Sequence, residues 1–585
     1  MYVGAINICM KQKLFILALV IGIPALVFLP SLFLGFNPFW DLFYVYRNPF
    51  QKTISLPLVR EAFVSFVEGN YHPLTLISHS LDYTIWRENP FGHHLTSYLF
   101  HLLNVCLVFI LIKNLARKWS LRLGISSLYI AGLTAIIFGI HPLRVESVAW
   151  ITERKDVLFA FFYLFTIYLF IRSRSERKSY LYWGALLLYL GSLLSKAMAV
   201  SLPAVVMILD YMVLSPRGKR TFRASLLRFV PFALLAATAA YLAMLGQYRG
   251  SLMAPLTPVI MLRNLLQFPG IALFYVGKTL WPFGMSPLYP IEPIGGVDYI
   301  ILSWIFSAAV VSVFWFFRKR LPSLITGFTI FILLLLPVGG LVRVGAQVLA
   351  DRFSYLPTIP VILALCVLAV MMLKYAGRLK WLVVIGLILW FTILGISTIS
   401  YITIWDDPVA VTRRAYDRYP GSRIIRLMML RTYNSSAAGL IESEQFDRAI
   451  LEVGRAISIQ PDFPDSYQIY AYALERLGRQ EQAEEVRRKG NEIKRELGER
   501  YFNQGLFYAK LEDYHRAEEL FRETLIYNEV RVEAYYNLAI IYQKWGDFPT
   551  AAAELNKALA IYPDQPVLRR RLDSVLKSQA ETLSE

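Results

Sequence analysis

The run WLVVIGLILWFTILGISTISY, residues 381–401, contains no charged residue. A helix needs about 20 mostly apolar residues to cross the hydrocarbon core of a bilayer, so this run predicts a membrane-spanning helix. Lys374, Arg378 and Lys380 precede the run, whereas Asp406 and Asp407 follow it. Because Lys and Arg concentrate in cytoplasmic loops, this asymmetry predicts that the chain after residue 402 lies on the non-cytoplasmic side.

Comparable apolar runs occur throughout the first 400 residues. Hydrophobic residues make up 56% of the chain and charged residues only 17%, which is typical of a polytopic membrane protein. With the run at 381–401, the predicted spans number about eleven, and the others are 14–34, 94–112, 123–140, 157–171, 180–195, 197–214, 226–246, 299–317, 322–341 and 354–373. The first run follows Lys11 and Lys13, is long and lacks a small-x-small cleavage motif, which favours an uncleaved anchor over a signal peptide. Residues 1–404 are therefore predicted to form an all-α membrane domain.

The net charge of +18 orients these spans. A basic chain can bind nucleic acid, but here the cations lie in short loops between apolar runs, which predicts a cytoplasmic N-terminus. The basic loop residues before the final span are Lys113, Arg117, Lys118 and Arg122; Arg172, Arg174, Arg177 and Lys178; Arg217, Lys219, Arg220, Arg223 and Arg228; Arg318, Lys319 and Arg320; and the three already named. The alternation requires that segment 257–283 does not cross, so we interpret this proline-interrupted segment as a re-entrant or interfacial helix. Cys9, Cys106 and Cys366 have no spaced partner, so they predict neither a disulfide framework nor a zinc site.

The chain from residue 430 to 585 repeats with a period of 34 residues, typical of tetratricopeptide repeats (TPRs). The small residues of the repeat are Ala437, Ala471, Gly505 and Ala539, then Ala449, Ala483, Ala517 and Ala551, and the large ones are Leu440, Leu474, Tyr508 and Tyr542. Small residues permit close crossing of paired helices, and large residues fill the space between pairs. Gly478 and Gly546 are expected to end first helices, and Pro461 and Pro563 second helices. Residues 564–580 predict a capping helix, and 405–429 a connector. Such an array binds peptides or partner domains, although an arbitrary helical bundle is the alternative.

Chemistry is expected in the external loops, of which the first covers residues 35–93. Asp41 follows the first span closely and could be a functional carboxylate or a helix cap. His72, His79 and Asp82 lie among apolar residues, and His93 and His94 end the loop. The histidines are either structural or, with Asp82, ligands of a metal ion.

Two later stretches combine acids and cations. HPLRVESVAWITERKDV, residues 141–157, contributes His141, Arg144, Glu146, Glu153, Arg154, Lys155 and Asp156, either as internal salt bridges or as a site for an anionic substrate. VRVGAQVLADRFSYLP, residues 342–357, contributes Arg343, Asp351, Arg352 and Tyr355, and Lys196 lies in a tight external turn. A cation at that depth is costly unless it is paired or meets a ligand. Converging cations would suit a lipid diphosphate or phosphate monoester.

The order of these motifs resembles a known family. YHPLTLISHSLDY, GHHLTSYLFHLLNV, HPLRVESVAWITERKDVL, LSKAMAVSLP and DRFSYLP followed by TPRs are similar to bacterial relatives of the transmembrane-and-tetratricopeptide-repeat O-mannosyltransferases, within the C-type glycosyltransferase superfamily (GT-C). The resemblance covers nearly the whole chain, and the run HPLRVESVAWITERKD is its most specific part.

The resemblance implies a sugar donor on a polyprenyl phosphate and an acceptor on the outer face of a membrane, in a bacterium the cytoplasmic membrane. It implies that Asp41 is the general base, and that Arg352, Lys196, Arg154 and Lys155, in that order, are candidates to bind the donor phosphate. Relatives carry two or three adjacent acids where this chain has Asp41, Leu42 and Phe43. Glu61, Glu68 or Asp82 could replace the second acid, or the reaction could proceed without a metal; the cofactor stays undetermined and could be a divalent metal.

Three functions remain open from the sequence. The first is a polyprenyl-phosphate-dependent glycosyltransferase whose TPRs recruit a protein acceptor. The second is a non-catalytic scaffold whose TPRs assemble an envelope complex. The third is a polyprenyl-glycan flippase or polymerase, which should place charges in the middle of the membrane, where Asp210 is the main candidate.

Overall fold

The computed structural model describes residues 2–37, 40–41, 44, 48–50, 52–123, 126–214, 222–249, 258–290, 297–317, 322–339 and 347–584. Within them every regular element is helical, and Val67 and Asn70 form an isolated bridge. The chain divides into two compact units, residues 1–428 and 429–585. Several predicted residues lie outside the described part, namely Leu42, Phe43, Arg217, Lys219, Arg220, Arg318, Lys319, Arg320 and Arg343.

The first unit is a helix bundle whose helices follow the apolar runs. Its helices are α1 Tyr2–Phe28, α2 Leu56–Ala62, α3 Pro73–Trp86, α4 Pro90–Leu123, α5 Ser127–Ile140, α6 Val145–Ala149, α7 Arg154–Glu176, α8 Ser179–Ser195, α9 Leu202–Ile208, α10 Phe222–Arg249, α11 Pro258–Leu280, α12 Val297–Phe317, α13 Pro322–Leu335, α14 Thr358–Tyr375, α15 Lys380–Thr403 and α16 Pro408–Arg418. Short 3-10 helices connect several of them, at Leu29–Phe33, Pro142–Arg144, Ile151–Glu153, Ala197–Ser201, Asp351–Ser354, Gly377–Leu379 and Ile404–Asp406, and Leu209–Leu214 is a π-helix. Helices α1, α4, α5, α7 and α8 form the largest core.

Seven of the described helices are long and apolar enough to cross a membrane, or eight if the bent pair Ser127–Ile140 and Pro142–Ala149 counts as one span. Four predicted spans are shorter helices, Ser179–Ser195, Ala197–Tyr211, Val297–Val313 and Ser323–Leu335. At about 1.5 Å per residue, the 17 residues of α8 and the 14 residues of α13 fall short of a hydrocarbon core of about 30 Å, whereas α12 continues to Phe317 and its 21 residues are long enough. The membrane-protein class is therefore supported, whereas the count of about eleven spans stays a prediction.

Segment 257–283 differs from a typical interrupted helix, because α11 continues through Pro269 for 23 residues and qualifies by composition as a candidate span. Three contacts of α11 indicate where it lies relative to the bundle. Phe268 lies against Gly339 beyond the end of α13, the Tyr275 hydroxyl bonds to the Ala350 carbonyl, and the Thr279 carbonyl is 3.1 Å from His141 Nε2. All three partners belong to connecting segments at the same end of the bundle, so the interfacial interpretation stays in place as a prediction.

A paired carboxylate marks the opposite end of the bundle. Asp210 is buried, and its oxygens lie 2.5 Å from Arg174 Nε and 3.2 Å from Arg228 Nη1. Arg174 lies in the last turn of α7 and Arg228 near the start of α10, at ends that the charge pattern predicts to be cytoplasmic. Asp210 thus anchors two helix ends, which accounts for this charge without a transport role.

The second unit is a stack of helix pairs. Helix α17, Arg423–Glu442, leads into it, and the others are α18 Phe446–Ile459, α19 Pro464–Arg476, α20 Gln480–Lys510, α21 Tyr514–Tyr527, α22 Val532–Lys544, α23 Phe548–Ile561 and α24 Pro566–Ser584. The alanines and glycine that mark the repeats are all buried at the helix crossings. Gly478 and Gly546 follow α19 and α22 with φ of 75° and 77°, a conformation that glycine adopts without strain.

One repeat boundary differs from the expected pattern. Helix α20 runs for 31 residues, so the second helix of one repeat continues into the first helix of the next. No proline interrupts residues 480–510, whereas Pro461 and Pro563 follow the ends of α18 and α23. Helix α24 buries Leu568 and Val575 in the core of the last repeats, as a capping helix should.

Candidate functional site

Asp41 lies in the segment between the first span and α2, and it is held by hydrogen bonds. The backbone N–H and the hydroxyl of Thr152 both donate to Asp41 Oδ1, at 3.2 and 2.8 Å, and the Asn37 N–H donates to Oδ2 at 3.0 Å. Only 2% of Asp41 is exposed, and this burial raises its pKa to about 6 although hydrogen bonds from Asn37, Thr152 and Trp150 oppose the shift. Oδ1 thus accepts both hydrogen bonds from Thr152, and Oδ2 accepts the one from Asn37.

Three tryptophans surround this carboxylate. Trp150 packs edge-on against Trp40 and stacks on Trp405, with ring centroids 5.4 Å apart in both pairs. Trp150 Nε1 donates to the Trp40 carbonyl, and Asn37 Nδ2 donates to the Trp405 carbonyl. The segment that carries Asp41 is thereby attached both to the loop before α7 and to the residues after α15.

Glu153, the residue after Thr152, forms ion pairs with Lys155, Lys196 and Arg352, and we call these three cations the cation cluster. Their nitrogens lie 3.1, 3.5 and 3.3 Å from the Glu153 oxygens. Lys196 also pairs with Asp156, and Arg352 pairs with Glu146, whose other oxygen accepts the Arg352 backbone N–H at 2.9 Å. Burial would lower the pKa of Arg352, but Glu146 and Glu153 outweigh it and raise that pKa.

The cations and acids of this cluster differ in exposure. The three cationic side chains are 12–13% exposed, whereas those of Glu146, Glu153 and Asp156 are at most 3% exposed. The acids therefore lie beneath and fix the cations, and the cations retain an accessible side. Among the described residues, Lys155 and Arg352 use only some of the three and five N–H groups that their types provide, so donors remain for an anion.

Arg154 lies apart from this cluster, although it was a candidate for binding phosphate. It is fully buried, pairs with Asp82 and donates to the His93 carbonyl at 2.6 Å. Thr96 donates to the other oxygen of Asp82. The charge of Arg154 is thus paired with Asp82 of the first loop, and its guanidinium also bonds to α4, so this residue connects the two segments. Arg154 does not belong to the cation cluster, whereas Lys155 does.

Asp351 forms a further buried group next to Arg352. The hydroxyls of Tyr289 and Tyr401 donate to its two oxygens, at 2.6 and 3.2 Å. Burial raises the pKa of Asp351 to about 6, and the hydrogen bond from Tyr289 partly offsets this effect. The Arg414 guanidinium lies 4.8 Å from the centroid of the Tyr401 ring, so α16 contacts this group.

Arg144, Tyr355 and His141 have structural surroundings. The Arg144 guanidinium lies over the Phe138 and Tyr355 rings, at 4.8 and 5.2 Å, and donates to the Thr358 hydroxyl. The Tyr355 hydroxyl is 2.8 Å from His101 Nδ1. His141 accepts from the Leu143 N–H and contacts the end of α11. These residues tie the bends at 141–144 and 354–358 together.

The metal alternative for His72, His79 and Asp82 is not supported by the geometry. Among the described residues no group of three His, Cys, Asp or Glu side chains is arranged to hold a metal ion, and Asp82 pairs with Arg154. Glu61 and Glu68, which could have replaced the missing second acid, are exposed. His93 Nε2 is 3.0 Å from the Arg87 carbonyl, and His94 Nε2 is 3.4 Å from that of Gly35, so both connect loop segments.

Several residues of the site have no signal in the sequence. Thr152 orients Asp41, Trp405 stacks over the same region, and Tyr289 and Tyr401 hold Asp351. Aromatic residues at the ends of spans are common membrane-interface anchors, so tryptophan and tyrosine at these positions did not suggest contacts with acids. Arg343 lies outside the described residues.

Comparison with known proteins identifies the repeats and a set of relatives. A tetratricopeptide-repeat family model matches residues 498–525 and 532–565. The chain is 29% identical over 177 residues to Protein O-mannosyl-transferase Tmtc1 of Drosophila melanogaster, and 26% identical over 187 residues to Protein O-mannosyl-transferase TMTC3 of Homo sapiens. Each alignment covers 30% of this chain but only 18% of the relative's length.

A solved structure of the MamA protein, 17% identical, covers 26% of this chain and 82% of its own, with a TM-score of 0.15. A score this low supports no structural assignment. The TPR repeats and the integral membrane character therefore stand as findings, and the resemblance to O-mannosyltransferases is shown for a part of the chain.

Proposed function

From this partial similarity and the geometry of the external loops, we propose that the chain is a membrane glycosyltransferase. It transfers a sugar, with mannose as the first candidate, from a polyprenyl phosphate to an acceptor hydroxyl on the non-cytoplasmic side. The observation that supports this proposal most is the arrangement at residues 152–153. Thr152 holds a carboxylate with a raised pKa, and the next residue, Glu153, holds three partly accessible cations.

The carboxylate supplies the general base. Asp41 Oδ2 accepts the proton of the acceptor hydroxyl as the acceptor oxygen bonds to the anomeric carbon. The bond between the anomeric carbon and the phosphate oxygen breaks, and the polyprenyl phosphate leaves with that electron pair. A pKa near 6 leaves Asp41 ionised at neutral pH and more basic than an ordinary aspartate.

The cation cluster stabilises the departing phosphate. Lys155 and Arg352 present unused N–H groups on their accessible side, and Glu146, Glu153 and Asp156 fix them before substrate arrives. Donors fixed in advance stabilise developing negative charge without reorganisation, which is the usual origin of large rate effects in such sites. This arrangement changes the order of candidates to Arg352, Lys155 and Lys196, without Arg154.

The TPR unit recruits a protein acceptor in this proposal. The charge pattern predicts that the chain after residue 402 lies on the same side of the membrane as Asp41. Stacked repeats supply extended surfaces for peptides, so they increase the local concentration of acceptor. In a bacterium these surfaces would lie outside the cytoplasmic membrane.

The variant Asp41→Asn tests the proposal in membranes supplied with polyprenyl phosphate mannose and a peptide acceptor. We expect sugar transfer to fall by a factor of about 10²–10⁴, the usual contribution of a general base. Asp447→Asn, an exposed change on the TPR unit, is the matched control. Transfer at the wild-type rate by the Asp41 variant removes this residue from the mechanism, and a wild-type chain without any transfer favours the scaffold function.

A further inference from the structure

His72 and His79 are buried on one face of α3 and its N-terminal boundary. Residues seven apart lie on the same side of a helix, and both side chains point into the protein, with at most 2% exposure. Among the described residues, His72 Nε2 and both ring nitrogens of His79 have no hydrogen-bonding partner. An unpaired buried polar group costs about 1–3 kcal/mol, so three such nitrogens together indicate a surface that meets a polar ligand.

These histidines adjoin the candidate site. The Thr75 hydroxyl, on the same face of α3, donates to the Ser195 carbonyl at 3.0 Å, which attaches the helix start to the turn that carries Lys196. The Tyr44 ring stacks on His72 at 5.6 Å and lies 6.3 Å from His79. Lys155 Nζ lies 4.9 Å from the centroid of the same tyrosine ring.

Tyr44 connects the Asp41 segment with the cation cluster. Tyr44 is three residues after Asp41, and its N–H donates to the Asp41 carbonyl at 3.2 Å. Tyr44 thus bonds through its backbone to the Asp41 segment, and its ring contacts Lys155, His72 and His79. In the proposed function the donor sugar lies between Asp41 and the cation cluster, because the base acts at the anomeric carbon and the cations bind the phosphate attached to it, so residues around Tyr44 are placed to contact the sugar.

The chemistry of the two rings favours hydroxyl groups over ions. Burial, together with the charges of Lys155 near His72 and Arg154 near His79, lowers both pKa values, that of His72 to about 3. Neutral imidazole has one donor and one acceptor nitrogen, which matches a hydroxyl group that both donates and accepts. An anion would use only the one donor nitrogen of each neutral ring, and the described residues include no group of three ligands for a metal ion.

We propose that His72 and His79 form the sugar-binding surface of the donor site and hydrogen-bond to hydroxyl groups of the donor sugar. This inference rests on the proposed function, because it identifies where that donor places its sugar. In this proposal the two histidines bind the sugar and take no part in proton transfer. The sugar and the phosphate are then recognised by different residues, the phosphate by the cation cluster.

The experiment measures binding of two probes to the full-length chain in lipid nanodiscs. The probes are polyprenyl phosphate mannose and the same polyprenyl phosphate without sugar. We expect the wild type to prefer the mannosylated lipid and His79→Phe to lose about tenfold of that preference, while its affinity for the bare lipid phosphate is unchanged. His79→Gln keeps a donor and an acceptor and should retain part of the preference, and His515→Phe, exposed on the TPR unit, is the control.

The outcomes separate the two proposals. A wild type that prefers the mannosylated lipid and a folded His79→Phe that keeps this preference overturn the sugar-binding surface and leave the proposed function intact. A wild type that binds both lipids equally, or neither, overturns the donor assignment and the sugar-binding surface together. If His79→Phe does not unfold in a cooperative thermal transition, His79→Gln and His72→Gln replace it in the binding measurement. At least one of these two variants must then lower the preference for the mannosylated lipid.

Discussion

Arg154 and Lys155 are adjacent in the chain, but their side chains lie in different surroundings. Arg154 is fully buried against Asp82, whereas Lys155 retains an accessible side next to Glu153 and Tyr44. Removing one partner of a buried ion pair leaves an uncompensated charge, which costs about 3–5 kcal/mol. A partly exposed ion pair contributes much less to stability.

This contrast gives a prediction for two neighbouring variants. Arg154→Met should lower the thermal unfolding midpoint of the purified protein strongly, because Asp82 stays buried without its partner. Lys155→Met should leave the midpoint nearly unchanged and weaken binding of polyprenyl phosphate, because it removes a donor from the cation cluster. Thermal unfolding and lipid binding measured on both variants check this, and equal effects of the two changes on both measurements would contradict the separation.

The pKa of Asp41 predicts the pH dependence of transfer. Burial raises this pKa from 3.8 to about 6, so the protonated form, which cannot act as a base, predominates below pH 6. The rate should therefore rise about tenfold per pH unit below about 6 and level off above it. Initial rates between pH 4.5 and 8 check the profile, with donor binding measured in parallel as a control, and a rate that falls as pH increases through 6 would contradict a carboxylate base.

At the scale of elements, α11 decides the topology of the second half of the membrane unit. It is long enough to span, yet Phe268, Tyr275 and Thr279 all contact segments at the end of the bundle that carries the site. If α11 lies at this interface, the end of α10 and the start of α12 are on the same side of the membrane. If it crosses, they are on opposite sides.

Single cysteines at Arg249 and Asp298, in a background without the three native cysteines, test this arrangement. We expect an impermeant maleimide to label Arg249→Cys and Asp298→Cys from the outside of intact vesicles of known orientation. Arg177→Cys, in a loop predicted to be cytoplasmic, should be labelled only after the vesicles are opened. Labelling of positions 249 and 298 from opposite sides would show that α11 crosses and would invert every element after it.

At the scale of the whole molecule, each of the two units has its own hydrophobic core. The membrane unit packs around α1, α4, α5, α7 and α8, and the TPR unit buries alanines and aromatic residues between successive helix pairs. Repeat proteins gain stability from contacts between neighbouring repeats, so such a stack does not require a distant domain in order to fold.

A fragment of residues 423–585, which begins with α17, should therefore fold independently. We expect a strongly helical far-ultraviolet circular dichroism spectrum and a cooperative thermal transition, because the helices bury their apolar faces against one another. The variant Ala517→Arg, at a buried crossing, should abolish the transition, whereas Glu519→Arg on the surface should not. A fragment that remains unfolded would show that the TPR unit depends on the membrane unit.

The sequence by itself determined the helices and the repeats, and it predicted the region of the candidate site. Membrane spans and TPRs are encoded locally, because hydrocarbon thickness fixes the length of an apolar run and the crossing of paired helices fixes the spacing of small residues. Asp41, Lys196, Glu153 and Arg352 were identifiable because charged or polar residues at the ends of apolar runs are costly without a partner or a ligand.

Only the tertiary structure decided how these charges are paired. Adjacent residues on a helix point in directions about 100° apart, so Arg154 meets Asp82 while Lys155 meets Glu153. No spacing rule predicts that Lys196 pairs with Glu153, 43 residues away, or Arg352 with Glu146, 206 residues away. Burial raises the pKa of Asp41 and, among the described residues, leaves the His79 ring nitrogens without a hydrogen-bonding partner, and it likewise depends on segments that are remote in the chain. Local patterns thus encode the elements, and the environment of each side chain follows from packing between them.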